Sequence, residues 1–386
     1  MIYLDNAATT WPKPYDVRRA VAEAMVLYGA NPGRSGHRMA MAAAREVYRC
    51  REAAAAFFSL PDPAGVVFTA NCTAALNIAI KGILRDGGRA VISDMEHNSV
   101  LRPLHALSPG APRYDIARVV PGDDPATVRN FERMITPETR AIVCTHASNA
   151  FGTVLPIADL ADLARRSGLL MVVDGAQTAG MLPIDMGRTG IDFLCVPGHK
   201  GLYGPAGTGM LLCGSAGKLL PPLTEGGTGV NSLAPDQPEE LPERLEAGTL
   251  NTAGICGLRA GLRWVSEQGE QAGRRKMRQL AEFYRMMRGV PGVSIYTGEP
   301  AYGASAAVLS LNIAGQAAET VAAELDRHGI AVRAGLHCAP LAHRHYGTIQ
   351  TGTVRFSPSI FTVPEDYQKV YEIIRGIAAK TVAKSG

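Results

Sequence analysis

The sequence predicts an α/β protein whose larger part is a mostly parallel, doubly wound sheet. Three observations lead there. Continuous apolar runs of strand length recur, RAIVC from Arg140, LLMVV from Leu169 and FLCV from Phe193, as expected of strands buried on both faces. Helix-patterned stretches alternate with these runs. The polar residues able to do chemistry cluster just past the run ends, where open α/β sheets hold ligands along their carboxyl edge.

Bulk properties narrow the class. A chain of 386 residues can hold two domains with sizeable cores. With 19% charged residues, a net charge of +4 and no dense basic block, nucleic-acid and membrane-surface binding have little support. No apolar stretch reaches membrane-spanning length, and MIYLDNAATT lacks the basic and apolar regions of a secretory signal. Seven scattered cysteines without a CxxC pair disfavour a disulfide scaffold or zinc site, and a reducing cytoplasm is expected.

Taken in order, residues 1–14, with Pro12 and Pro14, read as an extended arm. A helix opens at Pro14 and stops at Gly29. GRSGHRM (33–39) is a glycine-bearing loop that launches an alanine-rich helix to Phe58. GVVFT (65–69) is a strand, and the helix NCTAALNIAIKGIL follows. Free N–H groups at that helix start could hold a phosphate; alternatively Asn71 and Thr73 only cap the helix. A strand at 89–93 precedes Glu96 and His97; a loop histidine there is either a solvated surface group or an aromatic face for a ligand ring. The strand 140–145 runs into Asn149, which reads as a ligand-binding amide or as an Asx turn before Gly152. A helix over 157–167 leads to the strand ending in Asp174, a carboxylate that needs a cationic or hydrogen-bonding partner if buried.

The stretch 192–210, DFLCVPGHKGLYGPAGTGM, closes a buried strand with a glycine-rich loop holding His199 and Lys200. A lysine held partly away from water there would have a lowered pKa and become a usable amine nucleophile; the alternative is a solvated surface lysine. GGTGV (226–230) and EAGTLNT (246–252) lie in a region of little regular pattern. A long helical region spans 254–288, interrupted at Gly269 and Gly273. Strands at 308–313, 330–333 and 353–356 and helices at 319–328 and 364–383 form a smaller α+β unit. The boundary is placed near residue 255, giving 15–255 and 256–386. Cys338, in RAGLHCAP, is either a small buried hydrophobe or a thiol whose thiolate is favoured by Arg333 and nearby histidines, on a loop free to move about a glycine hinge. Arg355 is either one half of a structural ion pair or a fork for a carboxylate.

An Asp paired with a pyridinium nitrogen, together with a lysine imine, is what pyridoxal phosphate requires. DGAQ (174–177) and GHKGLYGP (198–205) resemble the fold-type I pyridoxal-phosphate enzymes, and in detail the class V aminotransferase and cysteine desulfurase family. The resemblance runs from YLDNAATT at Tyr3 to the last helix. RAGLHCA is similar to the desulfurase subgroup with an RxGHHCA loop, although Leu336 replaces the first histidine. The family commonly has serine where Pro197 stands, so one phosphate donor is missing.

The resemblance implies a large cofactor-binding domain and a smaller C-terminal domain that also takes up residues 1–14. It implies that Lys200 forms the imine and moves the Cα proton, Asp174 holds the ring nitrogen, His97 stacks on the ring and Gln177 bonds its phenolic oxygen. Cys72, Thr73 and His199 would hold the phosphate, joined by Thr249 from the partner in a homodimer. Arg355, Asn149 and Arg333 would bind the substrate, and Cys338 would take its sulfur as a persulfide. The implied reaction is conversion of L-cysteine to L-alanine, with a sulfur-acceptor protein downstream. Alternatives are a selenocysteine lyase or another class V lyase or aminotransferase and, more distantly, a non-enzymatic sulfur-relay scaffold.

Overall fold

The computed structural model describes residues 1–33, 36–108 and 110–385. Arg34 and Ser35, in the expected loop at 33–39, lie outside the described residues. The arm begins with β1 (Ile2–Tyr3). The strands β2 (Val66–Thr69), β3 (Arg89–Ser93), β4 (Tyr114–Ala117), β5 (Thr139–Thr145), β6 (Leu170–Asp174), β7 (Phe193–Pro197) and β8 (Gly209–Cys213) form one seven-stranded sheet in the order β2-β8-β7-β6-β5-β3-β4. From β7 to β4 all neighbours are parallel, while β8 runs antiparallel to both β7 and β2. The mostly parallel expectation therefore holds, with one reversed strand inserted.

Both faces of this sheet are covered, which is why its strands are apolar throughout. Met171 and Val173 of β6, with Leu194 and Val196 of β7, join one core cluster. Val172, Phe193 and Cys195 join another on the opposite face. Side-chain alternation along a strand produces that division.

A second, antiparallel sheet is built from β9 (Val293–Ile295), β10 (Leu309–Ile313), β12 (Arg333–Gly335) and β13 (Thr353–Phe356) in the order β12-β13-β10-β9. Its own core gathers Phe283, Leu309, Leu311, Phe356 and Val370. β1 pairs in parallel with β11 (Ile330–Ala331), and Asn6 N–H donates to Ser357 O at 3.0 Å. The arm is thus anchored on this second unit while reaching the first. The helix Thr252–Arg288 crosses residue 255, where the sequence reading set its boundary; it leaves helical geometry only at Gly269 (φ 61°, ψ −177°), and Gly273, expected as a second interruption, lies within the helix.

Upstream of that helix, Glu246 takes a two-pronged ion pair from Arg51 (2.8 and 2.5 Å) and a bond from the Phe68 N–H of β2. Both charged groups are buried, so removing either would strand the other at a cost of roughly 3–5 kcal/mol. This pair fixes the irregular 246–252 stretch against the large sheet.

Candidate active site

A cavity at the carboxyl edge of the large sheet is lined by Cys72, Thr73, His97, Asn149, Asp174, Gln177, His199 and Lys200. They come from the ends of β2, β3, β5, β6 and β7 or the turns after them, as the sheet order dictates. Cys72 and Thr73 open the helix Cys72–Ile83 after β2, with Asn71 capping it through the Ala74 N–H. The N–H groups of Cys72 and Thr73 meet no acceptor among the described residues. Asn71 therefore is a cap, and the two free donors remain for an anion.

Asp174 ends β6 and is 3% exposed. Its Oδ1 accepts from Ala176 N–H (2.9 Å) and from the Cys72 thiol (3.4 Å), leaving Oδ2 without a donor among the described residues. Lys200 follows β7. The residue is half-buried, and its amine has no hydrogen-bond or ion-pair partner among the described residues. Burial holds its pKa below the usual 10.5 against the pull of Asp174, and Arg355 and Arg333 add to the lowering. The turns after β6 and β7 touch backbone to backbone: a Cβ at Gly180 would lie 2.3 Å from Gly201 O, and one at Gly201 the same distance from Ala179 O. Only glycine at both positions lets the Gln177 turn close on the Lys200 turn.

His97 caps the helix Asn98–Ala106. Its Nδ1 accepts from Ser99 N–H at 3.0 Å and meets Ser99 Oγ at 2.7 Å, so the other ring nitrogen carries the proton. Burial pushes this imidazole down to about 4, against Asp174, and it is neutral at pH 7. Ser99 Oγ also meets Thr73 Oγ1 at 2.9 Å, linking the two helix starts. His199 Nδ1 lies 3.1 Å from Thr9 Oγ1, and its carbonyl takes Thr10 N–H and the Lys13 amine at 2.7 Å. Gln177 Nε2 donates to Ala7 O at 3.1 Å. The arm thereby supports two corners of the cavity, at His199 and Gln177.

The second unit supplies the facing wall. Arg333 and Arg355 are directly opposed on β12 and β13, so their side chains share a face. Arg355, 1% exposed, donates to Asn149 O (3.0 Å) and Asp5 Oδ1 (2.6 Å). Asn149 Nδ2 donates to His337 O at 2.7 Å, and its buried Oδ1 has no donor among the described residues. Cys338 is half-buried, with the Arg333 guanidinium 3.7 Å from Sγ.

Two expectations about this loop are corrected. His337 cannot add positive charge beside the thiol, because burial pushes its imidazole down to about 2. Nor is the loop free: Asn98 N–H donates to Cys338 O (2.8 Å), Asn149 holds His337 O, and the His337 ring sits 3.1 Å from Thr353 O. His337 and Cys338 both take left-handed backbone (φ 49° and 57°), each at a cost of roughly 1–3 kcal/mol that these anchors sustain. Leu336 stands at the exposed rim.

Thr249 does not join the cavity; it is exposed and its Oγ1 accepts from Asn31 Nδ2 at 3.2 Å. Asp5, Ser99 and Lys13 were not read as site residues. A serine two positions after His97 was the available signal for Ser99, since that spacing suits a capping contact.

The cavity's unmet groups fit pyridoxal phosphate: free N–H donors at a helix start for a phosphate, a buried carboxylate oxygen for a ring N–H, a neutral imidazole, and an unpaired amine.

A family model described as aminotransferase class-V matches residues 2–370. A protein from Methanothermobacter thermautotrophicus, described as a probable cysteine desulfurase, is 36% identical over 98% of this chain and 94% of its own length. One of the same description from Aeropyrum pernix is 33% identical, covering 98% and 94%. Among solved structures, the apo cysteine desulfurase of Thermococcus onnurineus superposes with a TM-score of 0.89 at 29% identity, over 98% of this chain and 95% of that one. A cysteine desulfurase from Escherichia coli gives 0.85 at 28% identity, covering 98% and 94%.

Proposed function

The chain belongs to the class-V aminotransferase family, and from that premise we propose that it is a pyridoxal-phosphate-dependent cysteine desulfurase that converts L-cysteine to L-alanine and keeps the sulfur as a persulfide on Cys338. The observation that carries this reading is the Cys338 thiol. It sits in a strained loop beside the Arg333 guanidinium and is tied through Asn98 to the helix that His97 caps. A packing cysteine has no need of such a setting, whereas a sulfur-accepting thiolate does.

Lys200 would carry the cofactor, Asp174 Oδ2 its ring nitrogen, Gln177 its phenolic oxygen, and Cys72, Thr73 and His199 its phosphate, with His97 over the ring. Bound there, the cofactor supplies the sink for electrons released at the substrate's Cα. Lys200 Nζ, once its amine is free, takes the Cα proton; a lowered pKa suits it to that task near neutrality. Arg355 grips the substrate carboxylate. Cys338 Sγ, beside Arg333, attacks the substrate sulfur. An S–S bond forms, the Cβ–S bond breaks, the Cβ carbon keeps the electron pair and gains a proton to become the methyl of alanine, and the proton held by Lys200 returns to Cα. The thiol is thereby left as a persulfide for an acceptor.

Thr249 serves a second copy of the chain in a homodimer. Its exposure on the surface supports this, as do Tyr15, Met25 and Val26, large apolar side chains left exposed on the helix Tyr15–Leu27. No helix among the described residues is long and apolar enough to cross a membrane.

The test is product analysis of the cofactor-loaded protein with L-cysteine and no keto acid. Alanine and protein-bound sulfane sulfur should form in equal amounts. Turnover that requires a keto-acid acceptor would replace this reading with an aminotransferase.

A further inference from the structure

The substrate-side arginine already holds a carboxylate. Arg355 Nη2 donates to Asp5 Oδ1 at 2.6 Å, and Asp5 lies in the N-terminal arm, 350 positions away in sequence. The pair is unequal. The Arg355 side chain is 1% exposed and that of Asp5 is 21%. The guanidinium therefore cannot turn to water, whereas the carboxylate can. The contact is also single-ended: Nη1 is spent on Asn149 O, and buried Nε has no partner among the described residues. A planar guanidinium is built for a two-pronged carboxylate contact, so Asp5 leaves part of the fork unused. Arg333, directly opposite on the neighbouring strand, adds a second positive charge on the same face.

Around this pair the main chain is fixed. Asn6 N–H donates to Ser357 O and Ser357 N–H to Leu4 O (2.7 Å), so any release of Asp5 is a side-chain rotation and not a movement of the arm.

Building on the reading of Arg355 as the substrate anchor, we propose that Asp5 stands in for the substrate carboxylate and is displaced by it. Binding is then an exchange of one carboxylate for another on Arg355, in which the incoming group gains the second prong and Asp5 turns to solvent. The exchange also selects. An α-amino carboxylate releases Asp5, whereas an amine without a carboxylate leaves Asp5 in place across the anchor. Because the competing anion lowers the fraction of binding-competent protein, it weakens apparent affinity by the same factor.

The experiment uses the holoenzyme with Cys338→Ala, so that ligands bind without sulfur transfer, and reads binding from the cofactor's absorbance. L-cysteine is compared with cysteamine, which lacks the carboxylate. Asp5→Asn should tighten L-cysteine by about tenfold and leave cysteamine unchanged. Asp5→Ser, which removes the same charge, should move affinity in the same direction and decides the matter if the Asn variant is poorly folded. In an Arg355→Leu background, Asp5→Asn should have no effect. Weaker or unchanged L-cysteine binding in both Asp5 variants, or an equal shift for cysteamine, would overturn the exchange. Arg355→Leu alone separates this from failure of the anchor: if it does not weaken L-cysteine relative to cysteamine, Arg355 is not the carboxylate site at all.

Discussion

The two walls of the site are made differently. On the large-sheet wall, Asp174 and Lys200 stand at the ends of adjacent strands whose neighbours fill both core layers, and glycine contacts close the turns that carry them. Their unmet groups, an amine and a carboxylate oxygen, are open to a ligand. On the small-sheet wall, Arg355 is already paired with Asp5 and its Asn149 neighbour with His337, while Cys338 rests on left-handed backbone. One wall is a finished receptor for a resident group. The other is set in a provisional arrangement that a transient ligand would replace. The difference follows from packing: a strand end between two cores has one place to be, whereas an ion pair with one partner that reaches solvent has an alternative.

The largest effect tests the finished wall. Lys200→Ala should abolish the borohydride-reducible cofactor linkage and lower turnover by at least 10³-fold, on the scale of losing a central catalytic group. The circular dichroism spectrum should stay that of the parent. Cofactor trapped on another lysine would show that this wall was misread.

Acid is the second test, and it weighs on both walls at once. His97, His146, His199 and His343 are pushed down to about 4 by burial, and His337 to about 2, from the ordinary 6.5. Between those values the unfolded chain binds more protons than the native one. The stability associated with these groups is therefore present above about pH 6.5 and is lost as pH falls toward about 4. The melting temperature of the cofactor-free protein should drop steadily from pH 7 to pH 5. A flat profile would mean that these rings are hydrated in solution.

The smallest effect concerns Pro197, buried at the end of β7 in the cofactor cavity. Its missing N–H harms no pairing, since the next residue, Gly198, donates to Thr208 O at 2.9 Å. Pro197→Ser adds one hydroxyl near the expected phosphate. A single such bond is worth about 0.5–1.5 kcal/mol, so cofactor affinity should rise roughly two- to tenfold by titration. Unchanged affinity would show the donor to be immaterial.

Much of the large-sheet wall was legible in the sequence, because its residues sit just after short apolar runs bounded by turn residues. The strands 89–93 and 353–356 match their expected spans residue for residue. The reversed strand β8, GMLLC, follows the glycine-rich loop, and nothing in its local pattern tells that it runs antiparallel to β7. β4, an edge strand reading YDIA, offers too little apolar signal to stand out. The small-sheet wall was legible in composition and not in arrangement. Arg333, Arg355 and Cys338 could be picked out, but the Asp5–Arg355 pair joins positions at opposite ends of the chain. Nothing local tells that His337 is buried deeply enough to be neutral, because burial is set by Thr353, His343 and the sheet above them.

The central claim is that the two walls divide the labour, with the cofactor on one and sulfur capture on the other. Cys338→Ala tests it most directly, by spectrum and product together. The variant should keep the parent's cofactor absorbance and still change that absorbance on adding L-cysteine, while persulfide disappears and alanine falls by at least 10²-fold. Full alanine production by Cys338→Ala, with sulfur released free or found on another cysteine, would contradict the account.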